Sequence, residues 1–255
     1  MSIVVHTERL RRIADAVREA EQISVADLAE ATNCSEMTIR RDLEVLAGQG
    51  VLERFRGGAR SLLLRGEGPP FALRAQDQAP AKERIAAEVA RLIADGESVV
   101  IDSGTTCLEV AKALRNHRIT AMPLSMHAAN ALAGGPRLTL LIPGGEVRTS
   151  ELTMSGLLTE ASLAALRFDT AILGCCGLSA EQGLTAYDLA DAAIKRAAIA
   201  AARRTIVVAD GSKFARTALA FVAPVSALDA VVTDDSAPAS DLEAMGAAGT
   251  TVWQV

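Results

Sequence analysis

The sequence of 255 residues predicts a two-domain α/β protein, with a small helical domain followed by a larger domain built on a mostly parallel sheet. The first 60 residues repeat apolar positions at helical spacing. Residues 61–80 are rich in Gly and Pro, which interrupts that spacing and is typical of a linker. Beyond them, short β-branched runs alternate with alanine-rich helical patterns, as in a sheet covered on both faces. We therefore expect domains at residues 1–60 and 81–255, joined by a linker at 61–80.

The first domain begins with three predicted helices. A helical repeat of apolar residues covers residues 8–20. Ser24, with Asp27 three positions later, resembles a capping box and opens a short second helix. After a turn at residues 32–34, Ser35 has a hydroxyl that can accept an N–H from the first turn of a third helix. We expect that helix to begin there.

The third helix has one apolar stripe and one polar face. Ile39, Leu43 and Leu46 recur at i, i+4 and i+7, whereas Met37, Arg40, Arg41 and Glu44 project from the other side. Two helices joined by a short turn, the second with exposed polar side chains near its start, form the helix-turn-helix that enters the major groove of DNA.

A strand-like segment follows this motif. Residues 51–56 alternate and stop at Gly57 and Gly58. We interpret them as a wing whose Arg54 and Arg56 are available to phosphates.

These motifs resemble the winged helix of the DeoR family of bacterial transcriptional regulators. Residues 25–30, 35–43 and 57–59, with Leu52 and Arg54, carry the resemblance. It implies that the third helix is the recognition helix. The alternative is that Arg40 and Arg41 only form a solvated face. The residues that we expect to contact DNA are Ser35, Met37, Thr38, Arg40, Arg41, Arg54 and Arg56.

The overall charge does not favour non-specific binding to nucleic acid. The chain has 26 Lys and Arg against 31 Asp and Glu, a net charge of −5. Residues 35–60 hold five Arg against four acidic residues, so the positive field is local. This charge balance favours a homo-oligomer over a monomer. A dimer or a tetramer would bind two weak half-sites on double-stranded operator DNA at once.

Strands and helices alternate along the second domain. Strands are predicted at residues 98–101, 119–124, 138–142, 169–173, 205–209 and 230–233. Helices are predicted at residues 81–94, 106–114, 126–133, 162–166 and 189–202.

The loops that follow these strands are where a ligand is expected, because open parallel sheets bind ligands beyond the carboxyl ends of their strands. The first such loop opens a helix, which supplies backbone N–H groups, hydroxyls and a positive dipole end for a phosphate. Lys213 would add an ammonium at the same rim. Plain turns, helix caps and a surface lysine are the alternative explanation. The expected effector-binding residues are Asp102, Ser103, Gly104, Thr105, Thr106, Gly144, Gly145, Gly174, Gly177, Asp210 and Lys213.

These loops also resemble, in order, the motifs of the sensor domain of the same DeoR family, over residues 80–235. The resemblance implies a fold similar to ribose-5-phosphate isomerase and coenzyme A transferases, and an effector that is a phosphorylated sugar or a related anionic metabolite. The segment 174–177, Gly-Cys-Cys-Gly, departs from the family's pattern.

The function that we predict is a transcriptional regulator, a repressor of a carbohydrate-metabolism operon, rather than an enzyme. One alternative is a sugar-phosphate isomerase with an appended DNA-binding head, in which Asp102 and Lys213 would serve as base and electrophile. No paired spacing of acidic residues singles out a catalytic acid and base. A second alternative is an oligomerisation domain, which would leave the hydroxyl-rich loop without a purpose.

Cofactors and metals are not expected. Four cysteines, Cys34, Cys107, Cys175 and Cys176, lack metal-type CxxC spacing and are interpreted as reduced thiols. The three histidines are scattered. The sequence has no apolar run of membrane-span length and no signal-peptide pattern, so we expect a cytoplasmic protein.

Overall fold

A computed structural model of the chain describes residues 2–48, 50–62, 71–149, 151–214 and 216–255, with only the backbone described at residues 2–8 and 19. It divides into two units, Met1–Asp77 and Gln78–Val255. The predicted linker at 61–80 contains residues 63–70, which lie outside the described residues.

The N-terminal unit contains the predicted helix-turn-helix, followed by a β-hairpin. The first strand of this hairpin lies within the predicted run 51–56, whereas its second strand was not predicted. Ser24 accepts the backbone N–H of Asp27 at 3.1 Å, which confirms the predicted cap. The hairpin is antiparallel, and a short strand before the second helix joins it as a third strand, which the sequence does not predict. The elements are α1 (Ser2–Ala20), β1 (Gln22–Ser24), α2 (Val25–Thr32), α3 (Glu36–Gly48), β2 (Leu52–Phe55), β3 (Gly58–Ser61) and α4 (Phe71–Gln76).

One apolar core holds this unit together. The predicted stripe of Ile39, Leu43 and Leu46 is buried in it. Leu73 of α4 also packs into this core, so part of the segment expected as a linker is folded onto the first unit. The core is completed by residues of α1, α2 and the hairpin, which include Leu10, Ile13, Val17, Leu28, Leu52 and Ala59.

The C-terminal unit alternates strands and helices. Its helices are α5 (Ala79–Leu92), α6 (Thr105–Leu114), α7 (Met126–Leu132), α8 (Leu157–Ala165), α9 (Leu189–Ala201) and α10 (Ala239–Ala247), with 3-10 turns at Gly211–Lys213 and Val225–Ala227. Its strands are β4 (Ser98–Ile101), β5 (Thr120–Pro123), β6 (Thr139–Leu140), β7 (Glu146–Arg148), β8 (Thr153–Ser155), β9 (Phe168–Gly174), β10 (Gly177–Ser179), β11 (Gly183–Ala186), β12 (Ala202–Val208), β13 (Ala220–Ala223), β14 (Ala230–Thr233) and β15 (Thr251–Gln254).

Seven of these strands form one sheet in the order β15-β14-β12-β9-β4-β5-β6, and every pair in it is parallel. This confirms the predicted fold class. The chain runs outward from β4 through β5 to β6, then returns to the other side of β4 at β9. The strand order therefore reverses between β4 and β9, and ligands in such sheets bind at that switch point.

Helices cover both faces of this sheet. Successive residues of a strand point to opposite faces, and in β4 Val99 and Ile101 pack on one core while Val100 packs on the other. Helices α5, α6 and α7 lie on the first face, and α8, α9 and α10 lie on the second.

Several elements are absent from the sequence prediction. The hairpin β7–β8 and the small antiparallel sheet β10-β11-β13 are built from three- and four-residue strands. Strands of three or four residues carry too little periodicity to be recognised in the sequence. Helix α10 and strand β15 were also not predicted. None of the described helices combines the length and the apolar character that a membrane span requires.

Candidate functional site

Helix α3 begins where the sequence predicts. The hydroxyl of Ser35 accepts the backbone N–H of Thr38 at 3.3 Å and lies 2.9 Å from the Thr38 hydroxyl. On the buried side, Asp42 receives two hydrogen bonds from the Arg9 guanidinium, at 2.6 and 3.1 Å. The hydrogen bond to Asp42 raises the pKa of Arg9, against the opposing effect of burial. Helix α3 is thus anchored to α1 on one side only.

The other side of α3 is open to solvent. Met37 is 64% exposed, and Arg40 and Arg41 are exposed as well. Arg40 donates to Glu36 at 2.9 Å, one turn earlier. Arg41 makes no ion pair or hydrogen bond with the residues that the structure describes. Its guanidinium is therefore available to a base edge or a phosphate without first leaving a partner.

Of the two wing arginines, as of Arg40 and Arg41, one has an ion-pair partner and the other has none in the described part of the chain. Arg54 donates to Glu44 of α3 at 2.8 Å, which ties the wing to the recognition helix. Arg56, at the tip, has no ion pair within the described part of the chain. Exposed ion pairs contribute little, so phosphates can replace Glu36 and Glu44 at small cost. The role of these residues on DNA stays a prediction.

At the switch point of the large sheet lies a buried carboxylate. Asp102 follows β4 and is fully buried. Its Oδ2 accepts the backbone N–H of Gly174, at the end of β9, at 3.0 Å. The same oxygen accepts the ammonium of Lys195, which reaches it from α9. Asp102 therefore connects the carboxyl ends of β4 and β9 to α9.

Lys195 stays charged although it is buried. Burial acts to lower the pKa of the Lys195 ammonium, but the carboxylates of Asp102 and Asp191 outweigh burial and raise it. Asp191 lies 3.5 Å from Lys195, and burial raises its pKa. The other carboxylate oxygen of Asp102, Oδ1, is buried without a hydrogen-bond partner among the described residues. The switch point thus contains a buried, unsatisfied acceptor beside a buried cation.

The first turn of α6 offers hydrogen-bond donors at the carboxyl end of β4, beside the switch point. Gly104, the residue before the helix, has φ +98°, a conformation that glycine adopts readily. The hydroxyls of Ser103, Thr105 and Thr106 have no partner within the described segments. The first N–H groups of a helix also lack intrahelical partners. Together they suit an anion, as the sequence predicts.

Asp210 and Lys213 lie on the next loop outward. Asp210 is buried and caps the 3-10 turn by accepting the N–H of Ser212 at 3.1 Å. Lys213 is half-buried and has no carboxylate within ion-pair distance in the part of the chain that is described. Burial raises the pKa of the neighbouring Cys175 thiol to about 12, although Lys213 acts to lower it. Cys175 is therefore a neutral thiol beside an unpaired ammonium.

Two of the remaining predicted glycines, Gly145 and Gly177, allow close packing. A Cβ on Gly145 would lie 2.2 Å from the Thr159 hydroxyl of α8, and one on Gly177 would lie 2.1 Å from the Arg216 carbonyl oxygen. The Gly144 carbonyl accepts the Thr159 hydroxyl at 2.7 Å. The close contacts explain Gly145 and Gly177 without a ligand, and the φ of +75° at Gly144 favours glycine there. The role of these three glycines in effector binding stays a prediction.

Lys195 is not among the residues that the sequence predicts at the switch point. The signal was present, because Asp188, Asp191 and Lys195 have the spacing of a helix cap followed by an i, i+4 ion pair. Nothing in that spacing indicates that Lys195 faces Asp102, which is 93 positions earlier. All four cysteines are free, and no cluster suited to a metal occurs among the described residues.

Two family models match the chain. The model of the DeoR-like helix-turn-helix domain matches residues 9–63, and that of the DeoR C terminal sensor domain matches residues 77–235. Together they cover both units.

Relatives along the whole chain agree with these matches. The glycerol-3-phosphate regulon repressor of Escherichia coli strain K12 is 34% identical over 94% of this chain and 95% of its own. The transcriptional repressor AccR of Agrobacterium fabrum is 32% identical over 89% of each chain. Ribose 5-phosphate isomerase A from Methanocaldococcus jannaschii aligns with a TM-score of 0.41 and 18% identity, over 54% of this chain and 55% of its own, which carries no argument about function.

Proposed function

Because the chain belongs to the DeoR family of transcriptional regulators, we propose that it represses an operon of carbohydrate metabolism by binding operator DNA. Helix α3 enters the major groove, and the wing contacts the adjacent backbone. A phosphorylated sugar or a related anionic metabolite binds at the switch point and changes the affinity for the operator. The observation that carries this proposal is the unpaired, exposed Arg41 on a helix whose other side is anchored.

The chemistry of the switch point supports an anionic effector with hydroxyl groups. The first turn of α6 and the ammonium of Lys213 suit a phosphate. The unsatisfied Oδ1 of Asp102 suits a hydroxyl donor once the crevice opens. The relative whose name refers to a glycerol-3-phosphate regulon makes polyol and sugar phosphates the first compounds to try.

We place the protein in the cytoplasm, because the operator DNA that it would bind is there. We also propose a homo-oligomer, because two DNA-binding domains that each bind a weak half-site together bind the operator more tightly. The isomerase alternative is not favoured. The family consists of DNA-binding regulators rather than enzymes, and the relatives are named repressors. Regulation of this kind requires little free energy. If the effector binds the arrangement of the protein that does not bind DNA more tightly by roughly 1–3 kcal/mol, operator affinity changes about 5- to 150-fold.

The test uses the full chain and the DNA upstream of its own operon. Fluorescence anisotropy would measure affinity for that DNA and for a shuffled sequence, with and without a panel of polyol and sugar phosphates. We expect a clear preference for the upstream DNA and a change of about 5- to 150-fold with one compound. Equal affinity for both DNAs would end the regulator proposal. Conversion of a compound to product would favour the enzyme.

A further inference from the structure

Helices α8 and α9 expose an apolar surface. Every exposed position of α8 is apolar, namely Leu157, Leu158, Ala161, Ala164 and Ala165. Leu157 is 84% exposed and Leu158 is 68% exposed. A surface helix of a globular protein normally turns polar residues outward. Helix α8 therefore lacks the outer face expected of a helix that remains in water.

Helix α9 continues this surface. It packs against α8, and its exposed residues are Leu189, Ala190, Arg196 and Ala200, with Leu189 73% exposed. Because α8 leads into β9 and α9 into its parallel neighbour β12, the two helices run the same way. The exposed leucines thus lie at the N-terminal ends of both helices, and exposed alanines follow toward their C-terminal ends. We name these exposed residues the α8–α9 face.

We propose that the α8–α9 face is the surface through which two copies of this chain associate. The small exposed alanines let helices from two subunits approach closely, and the leucines at the N-terminal ends supply apolar area. A two-fold pairing would place the same face of each copy against the other.

The area fits a dimer. A fully exposed leucine side chain offers roughly 100 Å² of apolar surface. With the alanines and with Phe221 of the neighbouring edge strand β13, which is 56% exposed, the face offers on the order of 400 Å². A standard interface buries about 800 Å² on each partner, of which a little over half is apolar.

The charge also favours a second copy. Each chain has a net charge of −5, so two copies repel unless they meet where charge is absent. The exposed positions of α8 and α9 carry a single charge, Arg196, whose guanidinium donates to the Phe221 carbonyl at 2.6 Å. Two such faces can therefore meet with little electrostatic repulsion between their charged side chains.

This inference rests on the proposed function in one respect, because a paired DNA-binding head needs a second copy. It also indicates how a ligand would act on the pair. Helix α9 carries Lys195 and Asp191, beside the switch point, on its buried side and its part of the α8–α9 face on its exposed side. A ligand that displaces Lys195 would therefore move a helix of the subunit interface.

Sedimentation velocity of the full chain tests the surface without DNA or effector. The wild type should sediment at twice the 26.6 kDa chain mass or more. Ala161→Glu on α8 and Ala200→Glu on α9 should each fall to half the wild-type mass or below. Ala87→Glu, at an exposed alanine of α5 on the opposite face of the sheet, is the matched control and should keep the wild-type mass.

Circular dichroism and thermal melting verify that the variants fold, which is expected because each alanine is exposed on a helix and Glu is a good helix former. A wild type at 26.6 kDa would overturn the proposal. So would wild-type mass in both folded interface variants. A protein that forms the oligomer but does not prefer operator DNA would count against the proposed function. It would not count against the α8–α9 face as the subunit interface.

Discussion

The ammonium of Lys195 on α9 contacts the carboxylate of Asp102, at the carboxyl end of β4, inside the C-terminal unit. The side chain of Lys195 is 3% exposed and that of Asp102 is fully buried. Gly174 of β9 donates to the same carboxylate oxygen. One ion pair thus joins the two strands of the switch point to the helix that covers them.

Replacing Lys195 with Met is expected to destabilise the fold by about 3–5 kcal/mol, because it leaves Asp102 as a buried charge without its cation. Urea unfolding followed by circular dichroism would measure the change. Lys112→Met, which removes an exposed partner of Glu109, is the control and should lose less than about 1 kcal/mol. Equal losses in the two variants would mean that the buried pair has no special weight.

We expect the stability of the fold to decrease at low pH because of Asp169. Hydrogen bonds from the backbone N–H and the hydroxyl of Ser98, at 2.9 and 2.8 Å, lower the pKa of Asp169 from 3.8. A carboxyl with a lowered pKa stabilises the fold above its unfolded pKa, and this contribution is lost as the pH falls through the folded pKa. Wild type should therefore lose more stability below pH 3.8 than Asp169→Asn. Thermal melts across that range would measure it, and parallel curves would contradict the assignment.

Arg41→Ala is expected to reduce the preference for operator over shuffled DNA by about 1–3 kcal/mol, because it removes an unpaired donor from the groove-facing side of α3. Competition binding at fixed salt would measure the preference. The fold should remain intact, since Arg41 is exposed and makes no hydrogen bond or ion pair with the described residues. Unchanged specificity would remove Arg41 from the recognition surface.

Arg56→Ala should weaken binding to all DNA sequences alike and reduce the slope of log affinity against log salt by about 1, because one phosphate contact is lost. Anisotropy titrations at several salt concentrations would give the slope. Arg60→Ala is a useful comparison, since Arg60 is already paired with Glu53 at 2.5 Å. A loss that is confined to one sequence would indicate base contact instead.

Thr105→Val and Lys213→Ala should leave DNA affinity nearly normal but make it insensitive to the effector. Both side chains lie at the carboxyl edge of the sheet without a partner in the described segments. Calorimetry with the compound that modulates the wild type would measure the loss of effector binding. Wild-type effector affinity in both variants would place the pocket elsewhere.

The sequence predicted the elements whose stabilising pattern is local. Ile39, Leu43 and Leu46 reveal α3 because helical spacing alone puts them on one side. The bounds of β4 and β14 were predicted to the residue, since buried parallel strands are short apolar runs between polar loops. Strand β1 was not predicted, because its pairing partner β3 is distant in the chain. Strand β10 pairs with the nearby β11, but its three residues carry too little periodicity to be recognised.

By itself, the sequence determined the helix-turn-helix, the alternation of strands and helices, and the loops at the carboxyl edge. These follow from periodicity and from residue types over a few turns. Only the tertiary structure decided that β4 and β9 are neighbours, that Lys195 pairs with Asp102, and that α8 and α9 share an uncovered apolar face. Each of these depends on which distant segments meet, because burial and ion pairing act between side chains close in space, whatever their separation in the chain.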